Sequence, residues 1–182
     1  MIRVAHHPIY THPLPKGHRF PMSKYELLPQ QLKLEGTLFE DQFFIPSKIS
    51  DEIIIETHCE IYYEKLKNLS LSKDEVRRLG FPLCNVLIDR ECIIAKGTLD
   101  GCNYAFQSGI SFNIAGGTHH AFHNRGEAFC LLNDQAIAAN HLLNNGKAKK
   151  IIIVDLDVHQ GNGTAALFQN NPNVFTFSMH GK

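Results

Sequence analysis

A run of four β-branched residues, 151–154 (IIIV), is followed directly by the alternating polar residues Asp155, Asp157 and His159. A continuous apolar run of this kind is typical of a strand that is buried on both faces of a parallel sheet. In open parallel sheets, ligands bind at the carboxyl ends of the strands, which is where these polar residues stand. We therefore expect a parallel α/β fold with a ligand site at the end of this strand.

The three polar residues suit a metal ion. Alternate residues of a strand share a face and lie about 6.6 Å apart, so we expect the side chains of Asp155, Asp157 and His159 to converge. Two neighbouring carboxylates repel each other and burial penalises both, whereas a cation removes both costs. A carboxylate and a neutral imidazole are zinc ligands. The alternative is a surface turn that happens to contain these residues, but the following tight turn at 160–163 (QGNG) favours a fixed site.

Two adjacent histidines follow another predicted strand. Residues 110–115 are expected to form a strand that leads through two glycines to His119 and His120. The glycines allow the backbone to approach a ligand or metal closely. The alternative is a pair of solvated loop histidines, and the neighbouring metal-type strand end argues against it.

Adjacent histidines can have different roles when their partners differ. A carboxylate partner favours the charged imidazolium, whereas a neutral amide partner does so less. Asp155 and Asn162 offer both kinds of partner, so we expect His119 and His120 to be held differently.

Elsewhere the patterns predict mainly helices joined by short loops. The expected helices are 23–34, 60–66, 74–81, 83–106, 133–143 and 163–169, and the further strands are 1–5 and 174–178. Ser23 is expected to cap its helix, Ile61 to lie on the apolar side of its helix, and Gly97 to mark a close approach of another backbone. Gly80 is expected to end the helix 74–81.

The bulk composition limits the classes of partner and compartment. A length of 182 residues predicts a single domain, 1–182. Lys+Arg and Asp+Glu balance at 18 each, so no nucleic acid or membrane partner is expected. The cysteine count of five is odd and contains no C-x-x-C pair, which favours a reduced, cytoplasmic protein. No apolar run approaches the ~20 residues that span a bilayer.

Several motifs in a fixed order resemble the histone deacetylase family. They are 116–122 (GGTHHAF), 126–130 (GEAFC), 133–134 (ND) and 155–163 (DLDVHQGNG). The resemblance is densest over 110–182 and weaker at 18–22 (HRFPM) and 57–62 (THCEIY). It looks most like class IV and its bacterial relatives. It implies an arginase/deacetylase-like α/β/α fold of three layers, of which this chain would be the N-terminal portion.

The resemblance also implies two cation sites. Asp157 and His159 match two of the family's three protein ligands to Zn²⁺. Asp155 and Ser178 match residues that border a monovalent-cation site, for which K⁺ is the expected ion. The family's third zinc ligand, its transition-state tyrosine and a Gly-rich loop lie beyond this region, so the zinc site is expected to lack its third ligand within 1–182.

The resemblance assigns catalytic and substrate-contacting roles as well. His119 and His120 match the active-site histidine pair, with Asp155 behind the first and Asn162 behind the second. We expect His120 to be the general base and His119 to stabilise the oxyanion and assist the leaving amine. Gly117 and Phe129 match residues of the channel that receives acyl-lysine.

The expected function is therefore zinc-dependent hydrolysis of an acyl-lysine amide in a protein or peptide, or of a small N-acyl amine. One alternative is a catalytically incomplete fragment that acts as a binding or partner module, or a remnant. Another is an arginase-like manganese hydrolase, which would need two metals and more carboxylates near the histidines than 155–163 provides.

Overall fold

The computed structural model describes residues 1–181, which form two compact units. One unit comprises 1–49 and 84–116, and the other comprises 50–83 and the chain from 117 onward. Our expectation of a single domain stays a prediction. Across residues 1–181, no helix is long and apolar enough to cross a lipid bilayer.

Seven α-helices and five strands make up the regular structure of residues 1–181. The helices are α1 Lys24–Leu34, α2 Asp51–Ile55, α3 Glu60–Lys67, α4 Lys73–Leu79, α5 Asn85–Ser108, α6 Asp134–Asn144 and α7 Asn162–Phe168. The strands are β1 Arg3–Ala5, β2 Phe43–Phe44, β3 Ser111–Asn113, β4 Ile151–Asp155 and β5 Val174–Ser178. These confirm the predicted helices and strands, with no end shifted by more than two residues.

The first unit is built on a parallel sheet of order β2-β1-β3, in which Val4 pairs with Phe43 on one side and Phe112 on the other. Helix α5 packs against β1 and β3. A Cβ on Gly97 of α5 would lie 2.5 Å from the Tyr10 hydroxyl and 3.1 Å from the Ala5 Cβ, so the neighbours that come close to this glycine are side chains and not the expected backbone.

The second unit is built on the parallel pair β4–β5, in register from Ile151↔Val174 to Asp155↔Ser178. Helices α6 and α7 pack on one face of this pair and form a core with it. The core consists of Ala136 and Ala139 of α6, Phe168 of α7, Ile153 of β4 and Val174 of β5. This packing places the carboxyl ends of both strands beside the start of α7.

The expectation that 151–154 is buried on both faces is wrong for residues 1–181. Ile153 is 8% exposed, but Ile152 is 63% and Val154 51% exposed. The physical reason is that α6 and α7 cover only the face that carries Ile153. The opposite, apolar face of β4 is open to solvent.

Two local expectations about helices are also wrong. Ile61 is 71% exposed, because α3 turns Tyr62, Tyr63 and Leu66 inward instead. The Ser23 side chain makes no capping hydrogen bond, because its backbone is already helical (φ −61°, ψ −20°) rather than extended.

Helix α4 begins at a capping box that was not predicted and ends at the predicted glycine. The Ser72 hydroxyl accepts a hydrogen bond from the Glu75 backbone N–H, and the Glu75 carboxylate accepts one from the Ser72 N–H. Gly80 ends the helix in the left-handed region at φ +81°, which confirms the predicted stop.

Candidate active site

Strand β4 ends at Asp155, and the chain then bends through Asp157 and His159. Asp155 Oδ1 accepts a hydrogen bond from the Asp157 N–H (3.0 Å), and Asp157 Oδ1 accepts one from the His159 N–H (2.7 Å). Aspartate side chains form such turns readily by accepting the N–H two residues on. The expected alternation along a continuing strand is therefore wrong, since two consecutive turns hold these side chains. Asp155 is nearly buried, whereas Asp157 and His159 face solvent.

His119 is buried against the end of β4. Its Nδ1 lies 2.6 Å from Asp155 Oδ2, and its Nε2 lies 3.9 Å from Asp157 Oδ1. The backbone of His119 is fixed too, because its carbonyl accepts a hydrogen bond from the Thr164 N–H at 3.1 Å. This geometry requires Nδ1–H to donate to the carboxylate of Asp155.

His120 has a different partner. Its Nδ1 lies 2.7 Å from Asn162 Oδ1, and the same oxygen accepts a hydrogen bond from the Gly163 N–H at 2.9 Å. Because a backbone N–H can only donate, the oxygen of the Asn162 amide must face both groups. His120 therefore carries a hydrogen on Nδ1, and Nε2 of the neutral ring keeps its lone pair. The rings of His119 and His120 have centroids 4.1 Å apart.

Two glycines let the start of α7 approach the histidine loop. A Cβ on Gly161 would collide with Asp155 Oδ2 and lie 3.5 Å from His119 Nδ1. A Cβ on Gly163 would lie 2.5 Å from the Ala121 carbonyl oxygen and 2.6 Å from that of His119. The QGNG segment is thus required for the packing behind both histidines.

Gly117, by contrast, has open space where a Cβ would stand and a φ of +67°. The positive φ, and not a close neighbour among residues 1–181, explains why a glycine stands at this position. Gly117 and the two histidines are carried by the same short loop.

Phe129 lies in a strained loop. Both Ala128 (φ +45°) and Phe129 (φ +70°) are in the left-handed region that side chains rarely adopt. The Phe129 ring packs on Phe81 with centroids 5.0 Å apart, and its N–H donates to the Leu79 carbonyl at 2.7 Å. These contacts fix the position of a half-buried aromatic ring.

Ser178 lies beside Asp155 as its partner across β4–β5. Its Oγ accepts a hydrogen bond from the Gly161 N–H at 3.2 Å and lies 3.0 Å from His180 Nδ1. The structure therefore places Ser178 next to Asp155, as the expected monovalent-cation site requires.

Sequence reasoning missed a buried polar network behind the loop. Asp134 Oδ1 accepts hydrogen bonds from the Thr118 N–H (2.9 Å) and hydroxyl (2.6 Å). The Asn133 side-chain amide donates to the Ala121 carbonyl (3.2 Å) and to Thr164 Oγ1 (3.0 Å). The signal was the pair Asn133-Asp134 at a helix start, which also has a capping role: Asn133 Oδ1 accepts from the Ala136 N–H.

His58 completes this network. Its Nδ1 donates to the Phe122 carbonyl at 2.9 Å, and its Nε2 accepts the Asn133 N–H at 2.9 Å. Burial lowers the pKa of His58 from 6.5 to about 4, so the ring is neutral, as its acceptor role requires. No sequence pattern distinguishes this histidine from the others, because its role depends on tertiary contacts.

The donor pair Asp157–His159 fits zinc in chemistry and spacing. The His159 N–H, as the largest influence, lowers the pKa of the Asp157 carboxyl, which keeps it ionised. Asp157 Oδ1 and His159 Nδ1 lie 3.0 Å apart, close to the about 3.3 Å between two ligands of one tetrahedral zinc with bonds of about 2.0–2.1 Å. Among residues 1–181, no group of three or more His, Cys, Asp or Glu converges as a metal site. Two donors alone fall short of the usual coordination number.

Comparisons with known proteins agree on one family. A profile of the histone deacetylase domain matches residues 18–182. An uncharacterized protein of Picosynechococcus sp. is 42% identical over 178 residues, which cover 97% of this chain and 59% of that relative. The acetoin utilization protein AcuC of Bacillus subtilis is 26% identical over 180 residues, which cover 93% of this chain and 46% of AcuC.

A solved structure agrees as well. The crystal structure of an HDAC homolog complexed with SAHA matches with a TM-score of 0.86 at 24% identity, over 98% of this chain and 50% of that chain. This likeness shows the fold and confirms the predicted parallel sheet flanked by helices. The chain spans about half the length of the relatives it matches. On the match over residues 18–182, the chain belongs to the histone deacetylase domain family.

Proposed function

We propose that this chain carries the acid–base half of a zinc-dependent deacylase, which hydrolyses acyl-lysine amides of a protein or peptide, or small N-acyl amines. The observation that carries the proposal is the pair of adjacent histidines with unlike partners, Asp155 for His119 and Asn162 for His120. Membership of the deacetylase domain family supports hydrolysis as the reaction class.

His120 is the proposed general base. Its Nδ1–H is committed to Asn162 Oδ1, so the lone pair on Nε2 is available to take a proton from the attacking water. The neutral amide supplies no charge that would hold the ring as an imidazolium. General-base help of this kind is typically worth about 10²–10⁴-fold in rate.

His119 is the proposed electrostatic partner. Its Nδ1–H donates to the Asp155 carboxylate at 2.6 Å, so this carboxylate can balance the positive charge of the ring when both ring nitrogens carry a hydrogen. An imidazolium presents Nε2–H as a donor to the oxyanion that develops on the amide carbonyl. The same hydrogen can then pass to the leaving amine.

The proposal also includes a zinc site and a monovalent-cation site. Asp157 and His159 would hold zinc together with further ligands from outside residues 1–181, and zinc there supplies Lewis-acid polarisation of the amide carbonyl and of water. Asp155 and Ser178, which pair across the ends of β4 and β5, would border K⁺. Gly117 and Phe129 are proposed to line the acyl channel. The odd count of five cysteines without a C-x-x-C pair supports the proposed cytoplasmic location.

The test uses the chain itself and a chimera in which residues 1–182 replace the matched region of the Picosynechococcus relative. Both are assayed on an acetyl-lysine peptide, with and without a chelator. We expect chelator-sensitive turnover by the chimera, a loss of about 10²–10⁴-fold in His120→Ala, and a smaller loss in His119→Ala. A folded chimera that hydrolyses no acyl-lysine peptide contradicts the function, and a larger loss in His119→Ala contradicts the assignment of roles.

A second candidate is a non-catalytic binding module. The specific observation in its favour is that no three or more metal-ligating side chains converge among residues 1–181. The same assay separates the two candidates, because zinc-dependent turnover by the chain alone removes this one.

A further inference from the structure

Residues 127–130 form a tight turn with a strained backbone, which we call the Phe129 turn. Glu127 and Cys130 exchange two backbone hydrogen bonds, with N–O distances of 3.1 Å and 2.9 Å. The two residues between them, Ala128 and Phe129, have φ angles of +45° and +70°. A type I′ turn requires positive φ at both central positions, where glycine, asparagine or aspartate usually stands. Since Ala128 and Phe129 do not favour this backbone, contacts from outside the turn must hold it.

The end of helix α4 supplies these contacts. The Ala128 N–H donates to the Arg78 carbonyl at 3.0 Å, and the Phe129 N–H donates to the Leu79 carbonyl at 2.7 Å. The last carbonyls of a helix have no partner within the helix, so the two N–H groups of the turn satisfy acceptors that would otherwise need water. The end of α4 and the Phe129 turn therefore stabilise each other.

Gly80, the residue that ends α4, lies against the Phe129 ring. A Cβ at position 80 would lie 2.8 Å from Phe129 Cε1 and 3.1 Å from Cδ1, whereas an ordinary contact begins at 3.4 Å. The ring also packs on Phe81, which is 1% exposed, with centroids 5.0 Å apart. The part of the Phe129 ring that remains exposed lies away from these two neighbours. A side chain at position 80 would therefore push the ring toward its exposed side.

Two features favour glycine at position 80, and Gly109 separates them. The φ of +81° favours glycine at the end of any helix, and the Phe129 ring leaves no room for a Cβ. Gly109 ends α5 at nearly the same φ, +80°, but a Cβ there would meet nothing within 4 Å. Alanine at either position thus has the same backbone cost, and only alanine at position 80 displaces the ring.

We propose that Gly80 is a positioning residue, which sets how far the Phe129 ring projects into the acyl channel and so limits the length of the acyl chain that the site accepts. The proposal rests on the proposed function in one respect, that Phe129 lines this channel. Strained backbone persists where the surrounding contacts determine it, and such strain is concentrated at active sites and ligand-binding sites. One methylene group in an apolar pocket changes substrate preference by about 10–200-fold, so a small shift of the ring changes which acyl chain fits.

The first experiment follows the ring itself in residues 1–182, and it needs neither metal nor substrate. The chain is made with isotope-labelled phenylalanine, and the ring resonances of Phe129 are identified by their loss in Phe129→Leu. We expect Gly80→Ala to shift these resonances and to weaken the cross-relaxation between the rings of Phe129 and Phe81. We expect Gly109→Ala to leave both unchanged, and circular dichroism shows whether each variant is folded.

The second experiment measures kcat and KM of the chimera described above on acetyl-lysine and butyryl-lysine peptides. In Gly80→Ala, the ratio of kcat/KM for butyryl-lysine to that for acetyl-lysine should fall at least about 10-fold, mainly through KM. Gly109→Ala should leave the ratio unchanged. Phe81→Leu gives the ring room to withdraw, so the ratio should rise. A loss of folded protein lowers kcat/KM for both substrates alike and cannot move the ratio in opposite directions.

Several results would overturn the proposal. One is a folded Gly80→Ala variant with unchanged Phe129 resonances, and another is a ratio that moves equally in Gly80→Ala and Gly109→Ala. If Gly80→Ala does not fold, Phe81→Leu decides, and a ratio that does not rise overturns the proposal. A chimera that hydrolyses neither peptide contradicts the proposed function instead, while the ring resonances in residues 1–182 still decide whether Gly80 positions Phe129.

Discussion

The buried His58 predicts that this protein loses stability in mild acid. In the folded chain its Nε2 accepts the Asn133 N–H and its Nδ1–H donates to the Phe122 carbonyl. Protonation would place a second hydrogen against the Asn133 N–H in a site that is 1% exposed. The folded state therefore resists a proton that the unfolded chain accepts readily.

The magnitude follows from the two pKa values of His58. Burial lowers its pKa from 6.5 to about 4, so the unfolded state binds more protons at every pH between these values. Stability is complete above pH 6.5 and falls as the pH drops toward 4. Between pH 7 and pH 5 this single group removes about 2 kcal/mol from the free energy of unfolding.

The assay is urea unfolding, followed by circular dichroism at pH 7 and pH 5, for the wild type and His58→Gln. Glutamine keeps one donor and one acceptor but does not titrate, so the variant should lose about 2 kcal/mol less than the wild type over this interval. Burial, with a smaller effect of Arg90, also lowers the pKa of His12 to about 4, and this contribution cancels because both proteins share it. Substitution of the exposed His180 by Gln serves as the control. An equal acid loss in wild type and His58→Gln would refute the reasoning.

Two further predictions concern local packing, and both are read from urea unfolding at pH 7. Gly163→Ala should destabilise the chain by about 1–3 kcal/mol, because the new Cβ would lie 2.5 Å from the Ala121 carbonyl oxygen. Gly117→Ala, where a Cβ has open space and only φ is unfavourable, should lose less stability. The reverse order would be inconsistent with the packing. Ser72→Ala should lose about 1 kcal/mol of stability, because it removes the capping hydrogen bond. Ser23→Ala should leave the stability unchanged, because the Ser23 side chain makes no capping bond. Equal losses would show that capping is not the cause.

Local patterns predicted the regular structure well. The expected helices 83–106 and 133–143 correspond to α5 at Asn85–Ser108 and α6 at Asp134–Asn144. The stop predicted at 144–146 agrees with the end of α6, whereas the left-handed Gly109 that follows α5 was not predicted. The prediction that Ile61 lies on the buried side of its helix was wrong. Helix α3 is only eight residues long, and so short an apolar pattern leaves the buried side of a helix ambiguous.

The candidate site likewise contains some residues that the local sequence identifies and others that it does not. The residues Asp155, Asp157, His119 and His120 are recognisable because polar side chains directly follow apolar strands. The buried role of His58 was not recognisable, because its partners Phe122 and Asn133 are distant in sequence. The Asn133-Asp134 pair was visible in the sequence, but its contacts with the histidine loop were not. The open face of β4 could not be predicted either, since burial depends on what packs against a strand and not on the strand alone.

The two active-site rings share one tautomer, and this has an evolutionary consequence. Both histidines place their hydrogen on Nδ1, so the difference between them resides in one group, the amide of Asn162 against the carboxylate of Asp155. An Asn codon becomes an Asp codon through one base change. The asymmetry of the pair is therefore a single mutational step from being lost, because Asn162→Asp would place a carboxylate behind each histidine.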